Sequence, residues 1–416
     1  MDSGDTAWVL ACSALVLFMT PGLAFFYGGM VRSKNMLGML MQNFFSMGLV
    51  SVLWVLIGFT LAFGPDAGGG LIGNLSLAGL KDVAGANFHV PGFEALAIPA
   101  LAFCAFQMMF AIITPALITG ATADRMKFAG WVAFLAAWAV LVYCPVAHWV
   151  FSPGGWLFKL GALDFAGGTV VHINAGIAAL VLVLVLGKRK GWPKETMAPH
   201  ALPWTLIGTG ILWFGWFGFN AGSALGANAQ AATAFMATNT AAAAAMLGWL
   251  AVEKMKTGHA TTLGGASGAV AGLVAITPCA GFVNPMAAVV IGLVAGVVCF
   301  LCVQIKFKFG FDDSLDVIAV HLVGGITGSI LLGVFANEAF GGLLSGGGAS
   351  LLGKQIVAVA ATLAYSGVMS FILAKIIDKT IGLRISADEE AEGLDLSQHA
   401  ESAYAAGEFG SMGRVG

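Results

Sequence analysis

Two histidines lie in the middle of long apolar segments, where an ionisable side chain is costly and is expected to have a function. His172 follows Asp164 by eight residues and precedes a glycine by four. His321 follows Asp313 by eight residues and also precedes a glycine by four. In a membrane, this matched pair favours a transport pore over an enzyme active site.

Two other interpretations of the histidines remain open from the residues alone. Each imidazole could be an unrelated side chain that bonds a helix carbonyl. The pair could instead ligate a haem between helices, although that site needs room for a macrocycle and usually several histidine pairs. A visible absorption spectrum of the purified protein would distinguish the haem.

Aromatic residues are concentrated in two apolar segments. Helical spacing relates Phe103, Phe106 and Phe110, with Gln107 among them. The second segment carries Trp213, Phe214, Trp216, Phe217 and Phe219, followed by Asn220, Gly222 and Ser223. Such stripes usually pack a core. A ring face can instead bind a small desolvated cation, with a favourable interaction energy of up to about 2 kcal/mol. Ser223 or Gln107 could accept hydrogen bonds from a ligand N–H, and the lack of a carboxylate ring argues against a metal-cation channel.

The composition places these residues in a lipid bilayer. Only 10% of the 416 residues are charged and 59% are hydrophobic, whereas soluble domains carry about 25% charged residues. Many apolar runs exceed the roughly 18 residues that cross a bilayer as a helix, and continuous runs exclude the alternating pattern of a β-barrel. We therefore predict an all-α polytopic membrane protein. The net charge of −2 says nothing about nucleic acid, but the sequence has no basic patch or aromatic-basic platform, so we predict no nucleic-acid partner.

Eleven candidate transmembrane helices can be traced along the chain. They span about 6–31, 36–63, 95–121, 128–150, 165–187, 201–222, 228–252, 260–278, 284–305, 314–336 and 351–376. The first follows an acidic N-terminus and is too long for a signal-peptide core. Cys299 and Cys302 have C-x-x-C spacing but lie in an apolar run without a nearby acid or histidine, so we predict buried thiols and no metal or cofactor.

Lysine and arginine orient the bundle, because they favour cytoplasmic loops. An N-terminus outside the cell places sixteen of the 19 basic residues on the cytoplasmic side. It leaves only Lys81, Lys159 and Lys354 outside. The prediction is a multi-pass protein of the cell membrane with its N-terminus outside and its C-terminus in the cytoplasm.

Two segments fall outside the spans. Residues 64–94 form a Gly-rich outer loop, and residues 377–416 form a cytoplasmic tail with an acidic cluster at 388–392. The tail could be disordered and solvated, or it could dock a soluble partner. Of the other histidines, His148 at an outer helix end is interpreted as a surface or capping residue.

The histidine spacing suggests an internal repeat within the transmembrane domain, residues 1–376. Two halves of five spans, about 1–190 and 200–340, would place His172 and His321 on corresponding helices, followed by an eleventh helix at about 351–376. An odd number of spans inverts the second half, and inverted repeats bring equivalent mid-membrane residues together at a transport site. The spacing match alone is too short to decide the point.

Several long motifs resemble the Amt/MEP/Rh family of ammonium transporters, and the neighbouring sequence is more similar to the Amt branch, of bacterial type. The matching stretches cover essentially the whole chain: Phe26–Gly29, Phe106–Gln107 with Phe110, Asp164–Gly176 continuing to Gly187–Arg189, Trp216–Ser223, Asp316–His321, Gly382–Arg384 and Glu392–Asp395.

The resemblance implies eleven helices with a five-plus-five inverted repeat, assembled as a homotrimer with one pore per subunit. It also implies residue roles. Phe110 and Phe219 would form a gate of stacked rings, and Ser223 would line the outer ammonium site. His172 and His321 would be the twin histidines of the pore, flanked by Trp216, and Asp164 would support the recruitment site without holding the ion.

One position departs from the family pattern. Typical bacterial members have tryptophan where this chain has Phe151, and phenylalanine binds a cation less strongly. The outer site could therefore bind ammonium less tightly, or Trp149 could supply the missing ring.

The mechanism expected from this resemblance separates the proton from its carrier. Ammonium, or its analogue methylammonium, would be captured by Phe110, Phe151 and Ser223 and deprotonated, because moving the bare ion through an apolar pore costs many kcal/mol. Ammonia would then pass His172 and His321, which burial keeps neutral and which could also relay the proton. The tail resembles the part of the family that docks PII-type signalling proteins. An ammonium sensor that transports little remains the alternative.

Overall fold

The computed structural model describes residues 1–85 and 88–404, and within these ranges every regular element is helical. Eleven long helices follow one another: α1 (Ser3–Met30), α2 (Ser33–Phe63), α3 (Ala100–Thr122), α4 (Phe128–Leu160), α5 (Gly168–Leu186), α6 (Leu202–Ala221), α7 (Ala229–Thr257), α8 (Thr262–Ile276), α9 (Pro285–Phe309), α10 (Ile318–Phe335) and α11 (Ser350–Thr380). Each coincides with one predicted span.

Nine of these helices, within the part of the chain that the structure describes, are long and apolar enough to cross a membrane. The two others are α6 and α8. Helix α8 has only 15 residues, fewer than the roughly 20 that cross a bilayer core. The protein is therefore an all-helical membrane protein, as its composition predicted.

Side-chain caps begin three consecutive helices in the second half of the chain. Asn228, Thr261 and Asn284 each accept a hydrogen bond from the backbone N–H three residues later, at 3.0, 2.9 and 2.9 Å. Such a cap satisfies one of the donors that a helix start leaves unpaired. These polar residues therefore fix the first residues of α7, α8 and α9.

Small residues let α7 and α9 approach closely. A methyl group on Gly292 would lie 2.3 Å from the carbonyl oxygen of Ala241, and one on Gly296 would lie 2.2 Å from that of Ala245. In lipid, close backbone contact supplies packing energy that the hydrophobic effect does not. The four-residue spacing of the two glycines puts both on the same face of α9.

The helices that carry the two histidines begin alike. Helix α5 starts with a π-helical turn, Gly168–Ile173, and α10 starts with another, Ile318–Val323. The Asp164 carboxylate accepts backbone N–H groups at the start of α5, and Asp313 accepts those of Val317 and Ile318 at 3.1 and 2.7 Å. π-Helical turns are rare and often occur at functional sites.

Helices α5 and α10 pack against each other through the glycines that follow the histidines. A methyl group on Gly176 would lie 2.6 Å from the backbone nitrogen of Leu322. One on Gly325 would meet Ile173 Cγ1 at 3.0 Å. Each glycine therefore faces the residue that follows the other helix's histidine.

The ends of the bundle differ, and we name them by what they carry. The loop end carries residues 64–94, of which 64–85 and 88–94 are described, with one short helical turn at Ala78–Leu80. The tail end carries the segment after α11, which includes the short helices α12 (Ala387–Glu392) and α13 (Leu394–His399).

The tail is folded onto the bundle as far as residue 404. Glu390 is buried and accepts the backbone N–H of Lys190 at 2.7 Å and a hydrogen bond from Arg384 at 2.8 Å. Asp395 accepts the backbone N–H of Gly38 at 2.8 Å. Solvated disorder, one of the two alternatives, therefore does not apply to residues 381–404, and residues 405–416 lie outside the described chain.

A buried ion pair joins the helices beneath the tail. Arg189, after α5, donates two side-chain hydrogen bonds to Asp312, before α10, at 2.9 and 2.8 Å. Burial raises the pKa of the Asp312 carboxyl, but the hydrogen bonds and charge of Arg189 outweigh it and hold that pKa below its ordinary value. This contact ties the two histidine-bearing helices together at the tail end.

Candidate substrate pathway

The two histidines meet at the centre of the bundle. His172 Nδ1 lies 3.2 Å from His321 Nδ1, and the ring centroids are 5.3 Å apart. Since one nitrogen donates and the other accepts, the contact accounts for one proton shared between two imidazoles. No described atom hydrogen-bonds to His172 Nε2, which is buried.

The cavity beside the histidines is small and apolar. It has a volume of about 10 Å³, and its lining includes Met19, Leu23, Leu117 and Trp216 as well as the two imidazoles. None of the described residues that line it is Asp, Glu, Lys or Arg. Direct contact between the rings leaves no room for a macrocycle between them, which argues against the haem interpretation.

Trp216 fixes the position of one imidazole. Its indole stacks on His172 with centroids 5.5 Å apart and an interplanar angle of 20°. The indole N–H donates to Thr277 Oγ1 at 2.9 Å, so the buried donor is satisfied. In sequence, Thr277 carries no signal of this role beyond a hydroxyl at the end of an apolar run.

Two phenylalanine rings separate this cavity from the loop end. The rings of Phe110 and Phe219 have centroids 4.3 Å apart, and both residues are almost fully buried. Phe219 also lies 6.1 Å from the His172 ring. The rings and imidazoles therefore form one continuous column, and the closed contact between the rings requires movement before anything passes.

A larger cavity opens on the loop-end side of these rings. Its volume is about 320 Å³, and its lining includes Phe103, Gln107, Phe110, Phe151, Asp164 and Ser223. The Ser223 hydroxyl donates to the Phe219 carbonyl oxygen at 2.8 Å, which leaves its oxygen able to accept from a ligand. Aromatic faces and an acceptor oxygen thus meet in one open cavity.

Trp149 points away from this cavity. Its indole N–H donates to the Leu71 carbonyl oxygen at 2.8 Å, and its ring packs against Tyr365 and Trp156 at 4.7 and 5.8 Å. Phe151, two residues later, is among the residues that line the cavity.

The Asp164 carboxylate is occupied by its own chain. One oxygen accepts the N–H groups of Gly167 and Gly168 at 2.8 and 2.7 Å. The other accepts from Thr169, through both its N–H and its hydroxyl, and from the N–H of Val170. The side chain thus organises the turn that leads to His172 and has little capacity left for a ligand.

His148 was interpreted as a surface or capping residue, and the surface interpretation is wrong. Its side chain is fully buried, with Nδ1 at 2.9 Å from the Ala62 carbonyl oxygen. A helix end looks exposed in sequence, but here the Gly-rich loop folds over it.

Known proteins match this chain along nearly its whole length. The model of the Ammonium Transporter Family matches residues 7–404. The ammonium transporter of Mycobacterium tuberculosis (strain ATCC 25618 / H37Rv) is 54% identical over 432 residues, which cover 97% of this chain and 90% of that protein.

Solved structures agree with the fold. The crystal structure of Saccharomyces cerevisiae Mep2 is 37% identical with a TM-score of 0.85, over 93% of this chain and 88% of that one. A structure described as a sensor Amt protein is 31% identical with a TM-score of 0.87, over 95% of this chain and 98% of that one. The chain therefore belongs to the ammonium transporter family.

Proposed function

We propose that this chain captures ammonium at the loop end, removes a proton and conducts ammonia past the histidine pair. One observation carries the proposal: the aromatic cavity, the Phe110–Phe219 ring pair and the two imidazoles lie in an unbroken series. Each part suits one step, namely binding of a cation, exclusion of water and passage of a neutral molecule.

The apolar cavity argues for ammonia as the permeating species. An unpaired ion in an apolar environment loses hydration worth tens of kcal/mol in the idealised limit. Ammonia crosses such a region far more cheaply, and an imidazole nitrogen can still hydrogen-bond to it. Potassium has no proton to release, so the same series excludes it. The histidine pair is also able to relay the proton, which would make net transport electrogenic.

Phe110, Phe151 and Ser223 form the recruitment site in this proposal, and Phe110 with Phe219 forms the gate. The supporting observation is that Phe110, Phe151 and Ser223 line the 320 Å³ cavity. The Trp149 ring packs against Tyr365 and Trp156, and Trp149 is not among the residues that line this cavity, so we assign it no direct contact with ammonium. Asp164 supports the site by holding the turn before His172.

The architecture proposed is eleven transmembrane helices with an inverted five-plus-five repeat, with the loop end outside the cell. The reciprocal crossing at Gly176 and Gly325 supports the repeat, because a twofold axis exchanges equivalent contacts. The excess of basic residues on the tail side supports the orientation in the cell membrane. Membership of the family is consistent with assembly as a homotrimer.

A regulatory partner and a sensing role are the second proposal. The tail of this chain packs on the tail end through Glu390 and Asp395, so a docked PII-type protein would contact an already ordered surface. The likeness to a structure described as a sensor Amt protein specifically favours sensing as the alternative function. A pull-down with the organism's PII protein, with and without nucleotide and 2-oxoglutarate, tests the partner.

Uptake of labelled methylammonium tests transport directly. Expression in a strain without its own ammonium transporters should restore uptake, and excess ammonium but not potassium should compete. A pure sensor would not restore uptake. Currents on solid-supported membranes then decide the proton relay, since absence of charge movement on ammonium addition would exclude it.

Replacing Phe151 with tryptophan should tighten substrate binding. Tryptophan is the stronger cation-binding ring, and a gain of about 0.5–1 kcal/mol lowers the KM for methylammonium about two- to fivefold. The comparison is KM in wild type and Phe151→Trp, with Phe151→Leu as the variant that keeps an apolar side chain without a ring. A KM that rises in Phe151→Trp and stays unchanged in Phe151→Leu would contradict the assignment.

A further inference from the structure

His148 is a buried imidazole between two acceptors. Its Nδ1 donates to the Ala62 carbonyl oxygen at 2.9 Å, and its Nε2 lies 3.4 Å from Asp66 Oδ1. The distance to Asp66 is too long for a full hydrogen bond, and no other described atom bonds to Nε2, although the nitrogen is fully buried. An unpaired buried nitrogen is costly. Because Nδ1 already donates to a carbonyl, Nε2 can bond the Asp66 carboxylate only as a second donor, in the imidazolium form of the ring.

Asp66 belongs to a compact loop segment, residues 65–74, that we name the strap. The strap closes on itself, since Asn74 N–H donates to the Pro65 carbonyl oxygen at 2.7 Å and Ala67 N–H to that of Ile72 at 2.9 Å. Asp66 also accepts the Gly70 N–H at 3.1 Å. The carboxylate therefore connects the fold of the strap to the buried histidine.

The strap contacts both sides of the turn at residues 149–156, which includes Phe151 at the end of a helical segment. On one side, the Trp149 indole N–H donates to the Leu71 carbonyl oxygen at 2.8 Å. On the other, the Trp156 N–H donates to the Gly70 carbonyl oxygen at 3.1 Å. A methyl group on Gly70 would lie 2.5 Å from the Trp156 nitrogen, so the two backbones are in direct contact.

We propose that His148 and Asp66 act as a positioning pair that locks the strap onto this turn and thereby sets the Phe151 ring in the loop-end cavity. His148 lies one helical turn before Phe151 on the same helical segment, Cys144–Phe151. The pair therefore fixes the start of the turn, while the two tryptophan contacts fix its flanks. Neither side chain touches the substrate, and both act through Phe151.

The inference rests on the proposed function, and the test separates the two. Methylammonium uptake is measured as a function of concentration for His148→Phe, which keeps a buried ring but donates no hydrogen bond, and for Asp66→Ala. We expect KM to rise about fivefold or more in each, because a displaced ring loses much of its contact with the cation. The maximal rate should stay within about twofold of wild type, because the column below the gate is unchanged.

Two further measurements distinguish positioning from general stability. Hydrogen exchange should increase at 65–74 and 148–156 in both variants and stay unchanged in α5 and α10. His89→Ala, an exposed histidine of the same loop, should behave as wild type. The double variant His148→Phe with Asp66→Ala should raise KM no more than either single change, because each change removes the same contact between the two side chains.

An unchanged KM in Asp66→Ala would overturn the inference even if His148→Phe failed to fold, because Asp66 lies partly at the surface. A loss of maximal rate with KM unchanged would also overturn it. If the wild type itself took up no methylammonium, the proposed function would be at fault rather than the positioning pair.

Discussion

The double variant His172→Ala with His321→Ala should lose ammonium selectivity, with uptake lowered about tenfold or more and potassium admitted. Each imidazole offers passing ammonia a hydrogen bond worth about 1–1.5 kcal/mol in an apolar cavity, and a loss of that size slows passage about tenfold. Removing both rings also enlarges a cavity of about 10 Å³. Water and ions can then occupy the space that the rings fill.

The measurement is uptake of labelled methylammonium and of a potassium analogue into proteoliposomes. His259→Ala, an exposed histidine at the tail end, serves as the matched control and should retain both the rate and the selectivity of the wild type. If the double variant transported ammonium as fast as wild type and still rejected potassium, the histidines would have no role in the pathway. They would then be two packed side chains that happen to touch.

The proton relay is tested separately, in the two single variants. If the pair carries the proton, charge movement on ammonium addition should disappear in each single variant, His172→Ala and His321→Ala. The loss of either imidazole removes the 3.2 Å contact between them. Currents that persist in both single variants would place the proton path elsewhere. Uptake without current in the wild type would indicate a channel for neutral ammonia only.

The helical membrane fold and the family were predictable because their signals are local and long. Apolar runs specify membrane helices without any knowledge of neighbours, and the family motifs are continuous stretches such as Asp164–Gly176. Both predictions are confirmed, by the helices and by the family match. The helix boundaries differ by a few residues, as at α11, which begins at Ser350 and continues to Thr380.

The contacts within the site were harder to predict from the sequence, because they join residues that are distant in the chain. His172 and His321 are 149 positions apart, and their spacing to Asp164 and Asp313 suggested symmetry without specifying a distance. The choice between Trp149 and Phe151 also depended on a tertiary contact. Two residues that are two positions apart on a helix face different directions, and the contact of Trp149 with Leu71 in the strap shows which ring turns away.

The local sequence pattern was least successful in predicting which polar residues are buried. His148 lies at the outer end of a predicted span, and Glu390 and Asp395 lie in the tail, so all three look like solvated groups in sequence. Each is buried by a segment from elsewhere in the chain: the strap over His148, and the helix ends at Gly38 and Lys190 against Asp395 and Glu390. Tertiary partners override a local preference for solvent when they supply hydrogen bonds to the buried polar groups.

Asp164→Ala should abolish uptake and destabilise the protein, because the carboxylate accepts four backbone N–H groups and one hydroxyl. Each buried donor left without a partner costs about 1–3 kcal/mol, so the loss amounts to several kcal/mol even if water reaches some of them. Asp164→Asn keeps one acceptor oxygen and should retain part of both stability and uptake. The measurements are the unfolding temperature in detergent and methylammonium uptake, with the exposed Asp388→Ala as control.

The pattern of loss identifies what Asp164 does. If the carboxylate organises the turn before His172, stability and uptake should fall together, and Asp164→Asn should lie between wild type and Asp164→Ala in both. If it instead bound ammonium directly, Asp164→Ala would unfold at the wild-type temperature while its KM rose steeply. That result would contradict the structural role, since five satisfied donors cannot be lost without a change in unfolding temperature.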